Sequence, residues 1–109
     1  MMQSTFDWLA QRLPEYRDRV IQWCEINSGT GNQDGVRKTA AAVMPLLETI
    51  ADEVVARPLP RIQQTRDDGS VESLGFADAL VAKKNADAPR QIFFCIHLDT
   101  VYPPDCDFQ

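Results

Sequence analysis

Imidazole is the scarcest functional group in this chain: its 109 residues hold one histidine, His97. Chemistry that needs two imidazoles is therefore excluded for the chain acting alone. No apolar run nears the roughly 20 residues that span a bilayer, so no membrane span is expected. Residues 1–13 carry Asp7 and Arg12 and lack a continuous apolar stretch, so they do not read as a secretory leader. The 11 basic residues form no cluster interleaved with aromatics, which argues against a nucleic-acid partner. The cysteines, Cys24, Cys95 and Cys106, are odd in number and include no CxxC pair. That pattern fits a reducing, cytoplasmic compartment and mostly inert thiols. Internal repeats and low-complexity tracts are absent as well.

What the chain does have is apolar substance. Its residues are 44% hydrophobic, enough for a real core, and its length is that of one domain or part of one. The net charge of -5 favours solubility and says nothing more specific.

Periodicity predicts a first helix over residues 5–25 with Ser4 as its N-cap. Phe6, Leu9, Ala10 and Leu13 share one face, and Val20, Ile21 and Cys24 extend it. Pro14 either kinks this helix or opens a second one at its first turn. The charged residues between Glu15 and Arg19 form a solvated face. The turn-forming group Ser28-Gly29-Thr30-Gly31-Asn32 must end the helix. A second helix is predicted over residues 33–51, with Val36, Ala40, Val43, Leu47 and Ile50 as its apolar stripe. Pro45 lies inside it, and a kink or a break is expected there.

Beyond Ala51 the pattern turns β-like. Residues 53–59 are rich in β-branched side chains and predict a strand. Residues 61–73, with Asp67-Asp68-Gly69, predict a loop or a weak hairpin. Residues 76–83 predict another strand and residues 85–89 a turn. The stretch Gln91-Ile92-Phe93-Phe94-Cys95-Ile96-His97-Leu98 is almost wholly apolar, as a strand covered on both faces would be. Two helices followed by strands of a mixed sheet predict an α/β layer fold.

The informative chemistry follows that apolar stretch: His97-Leu98-Asp99-Thr100-Val101. In α/β sheets, ligands bind at the carboxyl ends of strands. Residues two apart on a strand share a face, so His97 and Asp99 are expected to point the same way and Leu98 the other. A neutral imidazole binds zinc through one nitrogen, and a carboxylate on its other N–H fixes the ring. His97 is thus a candidate metal ligand and Asp99 a candidate catalytic support for it. The plainer alternative is a histidine hydrogen-bonded to a neighbouring carboxylate with no metal, and the short motif leaves both open.

Other constellations carry less. Gly29-x-Gly31-x-x-x-Gly35 is one residue too long for a dinucleotide fingerprint and follows a helix, so a phosphate cradle is rejected. Ser28 and Thr30 read as turn and cap residues before they read as nucleophiles. Cys95 lies two residues from His97, which raises a Cys–His dyad, but a cysteine in an apolar strand is more simply core. Cys106, in a polar context, is a minor thiol candidate. Trp8 and Trp23 read as packing residues.

A resemblance across most of the chain adds to this. The sequence resembles the start of the dizinc aminoacylase and carboxypeptidase family, which includes glutamate carboxypeptidase, acetylornithine deacetylase and succinyl-diaminopimelate desuccinylase. Trp23-Cys24-Glu25-Ile26-Asn27-Ser28-Gly29-Thr30-Gly31-Asn32 is similar to the end of that family's first helix and the following loop. Residues 35–47 are similar to its second helix. Ala88-Pro89-Arg90-Gln91-Ile92 leads into the strand that ends in His-x-Asp-Thr-Val. The resemblance implies the beginning of an α/β/α zinc-peptidase catalytic domain, with His97 binding one of two zinc ions and Asp99 supporting it. It implies a substrate among N-acyl amino acids and short peptides. The family's other ligands, its general-base glutamate and its lid domain come after the matched stretch, and nothing maps a ligand onto Asp105 or Asp107. The chain by itself is accordingly expected to be inactive. The competing reading is a non-catalytic α/β module for binding or assembly.

Overall fold

Residues 2–107 are described by the computed structural model. Helix α1 (Met2–Cys24) is one continuous helix with Pro14 in its interior. Ser4 therefore lies within the helix and is not its N-cap. An interior proline removes one backbone hydrogen bond and costs about 3 kcal/mol. Polar contacts flank it: Glu15 pairs with Arg12 at 3.5 Å and with Arg19 at 3.0 Å. The Arg12 guanidinium also lies over the Trp8 ring, 4.3 Å from its centroid. Trp8 is thus an exposed residue capped by a cation and not a core residue.

Helix α2 (Gln33–Ile50) carries Pro45 without a break. Its start is set by Asn32, whose side chain accepts a hydrogen bond from the Gly35 N–H at 3.1 Å. Its end is closed by the Ala51 N–H on the Leu47 carbonyl at 2.9 Å. Val36, Ala40, Val43 and Leu47 of the predicted stripe are half-buried and Ile50 is exposed. α2 lies against β1 (Glu53–Arg57) and β4 (Ala79–Lys83).

The strands form two small antiparallel sheets. β1 pairs with β4, with Val55 opposite Val81. β2 (Ile62–Thr65) and β3 (Val71–Leu74) pair as a hairpin. Its turn follows from Gly69, which sits at φ +83°, and from Asp68, whose carboxylate accepts from the Ser70 N–H and hydroxyl. The Arg66 guanidinium and the Glu72 carboxylate join the two strands. The architecture is mixed α/β, two helices followed by four strands. The predicted mixed sheet does not form among the described residues, because both sheets are antiparallel. The parallel pairing present is a single bridge between Gly29 and Thr100.

The largest departure from expectation is residues 91–98. They belong to no strand, and Ile92, Phe93, Phe94 and Ile96 are exposed, Phe93 at 88%. Cys95, expected in the core, is exposed with them. The physical reason is the lack of neighbours: a strand apolar on both faces needs a ladder on each edge and a layer on each face. The apolar face of α1 is uncovered too, with Phe6 and Leu13 mostly exposed. Among the described residues the one buried hydrophobic side chain is Ala77, so the core that composition allows is not closed. The radius of gyration is 17.7 Å, against about 13 Å for a compact domain of this length. The accessible surface is 9143 Å², against roughly 6,100 Å² for a closed fold of this mass. Both excesses agree with the exposed apolar side chains of α1 and residues 91–98. Among the described residues, no helix is long and apolar enough to cross a membrane.

Candidate functional site

The loop between the helices is a polar scaffold, and asparagines build it. The Asn27 side-chain oxygen accepts from the Gly29 N–H at 3.2 Å and from the Asn32 amide at 3.0 Å. The Asn27 amide donates to the Tyr102 carbonyl at 3.2 Å. Asn32 caps α2 at the same time, so loop and helix are fixed together. Two glycines allow the close approach. A Cβ at Gly35 would lie 1.8 Å from the Asn27 carbonyl oxygen, and one at Gly29 would lie 2.4 Å from that of Tyr102.

This scaffold grips the chain just after His97. The Thr100 N–H donates to the Ser28 carbonyl at 2.8 Å, and the Thr30 N–H donates to the Thr100 carbonyl at 2.9 Å. The segment alternates as an extended chain does. Leu98, Thr100 and Tyr102 face an apolar pocket of about 260 Å³, which Val20, Trp23 and Thr39 also line. His97 and Asp99 meet on the other side, with Nδ1 of His97 3.2 Å from Oδ1 of Asp99. Leu98 thus packs toward α1, away from the pair, as alternation requires.

Asp99 is the better anchored of the two. Its side chain is 31% exposed, against 88% for His97. Its second oxygen, Oδ2, accepts from the Thr30 hydroxyl at 2.8 Å. That hydroxyl is the main reason its carboxyl lies below the usual carboxylate range. Partial burial opposes the effect and the contact with His97 adds to it. Asp99 is therefore an anion at neutral pH, able only to accept hydrogen bonds. A contact with its Oδ1 places a proton on Nδ1 of His97. In the neutral ring this leaves the Nε2 lone pair for a ligand, on a largely exposed side chain.

His97 and Asp99 are thus brought together in the relation that a zinc-binding imidazole and its orienting carboxylate require. One ligand does not make a catalytic zinc site, which takes three protein donors. Among the described residues no group of three or more His, Cys, Asp or Glu side chains converges. The pair fits one corner of a metal site, and no chemical step can be routed through metal on these residues alone. Asp105 and Asp107 are exposed and do not join it. Neither Cys95 nor Cys106 is in a disulfide, and Cys95 makes no hydrogen bond to His97.

Sequence reasoning missed Thr30, Asn27 and Asn32. Thr30 was expected to be a turn or cap residue, yet Asn32 is the cap and Thr30 reaches Asp99, 69 residues along the chain. Asn32 had a legible signal, an asparagine immediately before a helical stripe. The contacts of Thr30 and Asn27 had none, because both span most of the sequence. Ser28, the other cap candidate, is buried and supplies its carbonyl to Thr100. Compared with protein-family models, with curated proteins and with solved structures, the chain gives no match.

Proposed function

We propose that the chain is the N-terminal segment of the catalytic domain of a zinc-dependent amide hydrolase of the carboxypeptidase and deacylase type. The observation that carries this reading is the His97–Asp99 pair: Nδ1 is engaged by the carboxylate, on an imidazole that is otherwise largely exposed. In this reading His97 ligates one of two zinc ions, and Asp99 holds the ring and raises its basicity. Zinc supplies polarisation of an amide carbonyl and an activated water. The further donors and a general base come from residues other than those described. The uncovered apolar segment 91–98 and the uncovered face of α1 support the same reading. They are surfaces of the kind that a larger α/β domain buries between its layers. The substrate class is an N-acyl amino acid or a short peptide, and the enzyme is cytoplasmic.

A stand-alone binding or assembly module is the competing reading, favoured by the lack of a converging ligand cluster among the described residues. It fits poorly with a chain whose most apolar segment is bare. The longest polypeptide encoded by the gene separates the two. Metal analysis and hydrolysis of a panel of N-acyl amino acids and dipeptides are expected to show bound zinc and turnover. A polypeptide that ends at Gln109, or a longer one free of zinc and inactive on the panel, would remove the hydrolase reading.

A further inference from the structure

We infer that Thr30 is a positioning residue for His97 and acts through Asp99. The inference deepens, and rests on, the reading of His97 as a metal ligand. It begins with a proton inventory. The Thr30 hydroxyl has one proton and two acceptors in reach, Oδ2 of Asp99 at 2.8 Å and the Thr100 carbonyl at 3.1 Å. The Thr100 carbonyl already accepts the Thr30 N–H. The carboxylate is nearer and charged, and charge-assisted hydrogen bonds are the stronger ones. The proton therefore goes to Asp99.

That assignment fixes more than one contact. An aspartate carboxyl rotates in a broad, roughly two-fold well, and its oxygens are interchangeable until something tells them apart. Thr30 holds Oδ2, so Oδ1 is the oxygen presented to Nδ1 of His97. Thr30 is itself held by its place in the parallel bridge, one residue after Gly29. The chain of command runs from the backbone of the loop to the hydroxyl, to the carboxylate, to the imidazole tautomer. With no hydroxyl at position 30, the carboxylate turns freely at this partly exposed site. The imidazole then loses the partner that keeps its proton on Nδ1 and its lone pair on Nε2.

The single histidine makes this directly readable, since one imidazole gives one pair of ring ¹⁵N signals. The experiment is long-range ¹H–¹⁵N NMR of the 109-residue chain at about pH 9. Wild type is expected to hold mainly the Nδ1–H tautomer. Thr30→Val, which keeps the shape and removes the hydroxyl, should lower the Nδ1–H to Nε2–H ratio roughly 3- to 10-fold, as loss of one net hydrogen bond does. Thr30→Ser should restore it. Should Thr30→Val release the loop, Asp99→Asn keeps Thr30 and must shift the ratio the same way. An unchanged ratio in Thr30→Val with a docked loop, or in Asp99→Asn, would overturn the proposal. So would a Thr30→Ser variant as altered as Thr30→Val. Zinc chloride added to wild type tests the underlying reading separately. A perturbation centred on Nε2 supports ligation. A perturbation centred on Nδ1 instead, with the tautomer results as expected, would refute ligation through Nε2 and leave the role of Thr30 standing.

Discussion

Replacing Gly29 with alanine should pry the loop from the His97–Asp99 segment. A Cβ at this position would lie 2.4 Å from the Tyr102 carbonyl oxygen, 3.1 Å from its carbon and 3.3 Å from Cα of Pro103. All three are backbone atoms, so no side chain can swing aside. A carbon beside an oxygen needs about 3.3 Å even in its closest favourable contacts. The two chains must therefore separate by roughly 0.9 Å. The bridge hydrogen bonds of 2.8 and 2.9 Å would stretch to about 3.7–3.8 Å, beyond the usual 3.2 Å limit. Each contributes about 0.5–1.5 kcal/mol net, so the pair amounts to roughly 1–3 kcal/mol. The assay is amide hydrogen exchange at Thr30 and Thr100, whose N–H groups form the bridge. Local opening free energy converts to protection, so exchange should accelerate by roughly 5- to 150-fold. Gly31→Ala is the matched control, because a Cβ there meets nothing within 4 Å. Equal protection in wild type, Gly29→Ala and Gly31→Ala would show that the loop does not clamp the segment.

Three further outcomes follow from the same structure. The Asp99 carboxyl lies below its ordinary range when folded, so the unfolded chain takes up that proton first as pH falls. Its contribution is present above about pH 4 and is lost as pH drops through the lowered folded value. Denaturation from pH 7 to 3 should show this loss in wild type and a smaller one in Asp99→Asn, and identical profiles would contradict it. The bare segment around Phe93 and Phe94 should make the chain self-associate, since both rings are largely exposed on a segment that belongs to no strand. Phe94→Lys is expected to lower light scattering at equal concentration, and undiminished scattering would place the sticky surface elsewhere. The chain by itself should bind zinc weakly and hydrolyse no amide, because only one credible ligand is present. Equilibrium dialysis showing a stoichiometric, sub-micromolar site would refute that.

The helices were legible because their signals are local. The α2 stripe repeats at helical spacing, and the prolines that threatened both helices are outweighed by the turns on either side of them. The hairpin was half legible: Asp67-Asp68-Gly69 announced the turn, but the polar strands on either side gave little β signal. Residues 91–98 show the limit of the method. An apolar run states what surroundings a strand needs, not whether they are present, and here no second strand pairs with it. At the site, alternation was enough to put His97 and Asp99 on one side and Leu98 on the other. The hydroxyl that holds Asp99 could not be read, because Thr30 in a glycine-rich turn has the same local sequence whether it caps a helix or reaches a distant carboxylate.

The most direct test is zinc content and turnover in the longest encoded polypeptide, compared among wild type, His97→Ala and Asp99→Asn. If His97 is a ligand oriented by Asp99, His97→Ala loses one zinc and nearly all turnover. Asp99→Asn then keeps the metal, with affinity or activity reduced by about 10- to 100-fold. Wild-type zinc and turnover in His97→Ala would contradict the assignment of this site.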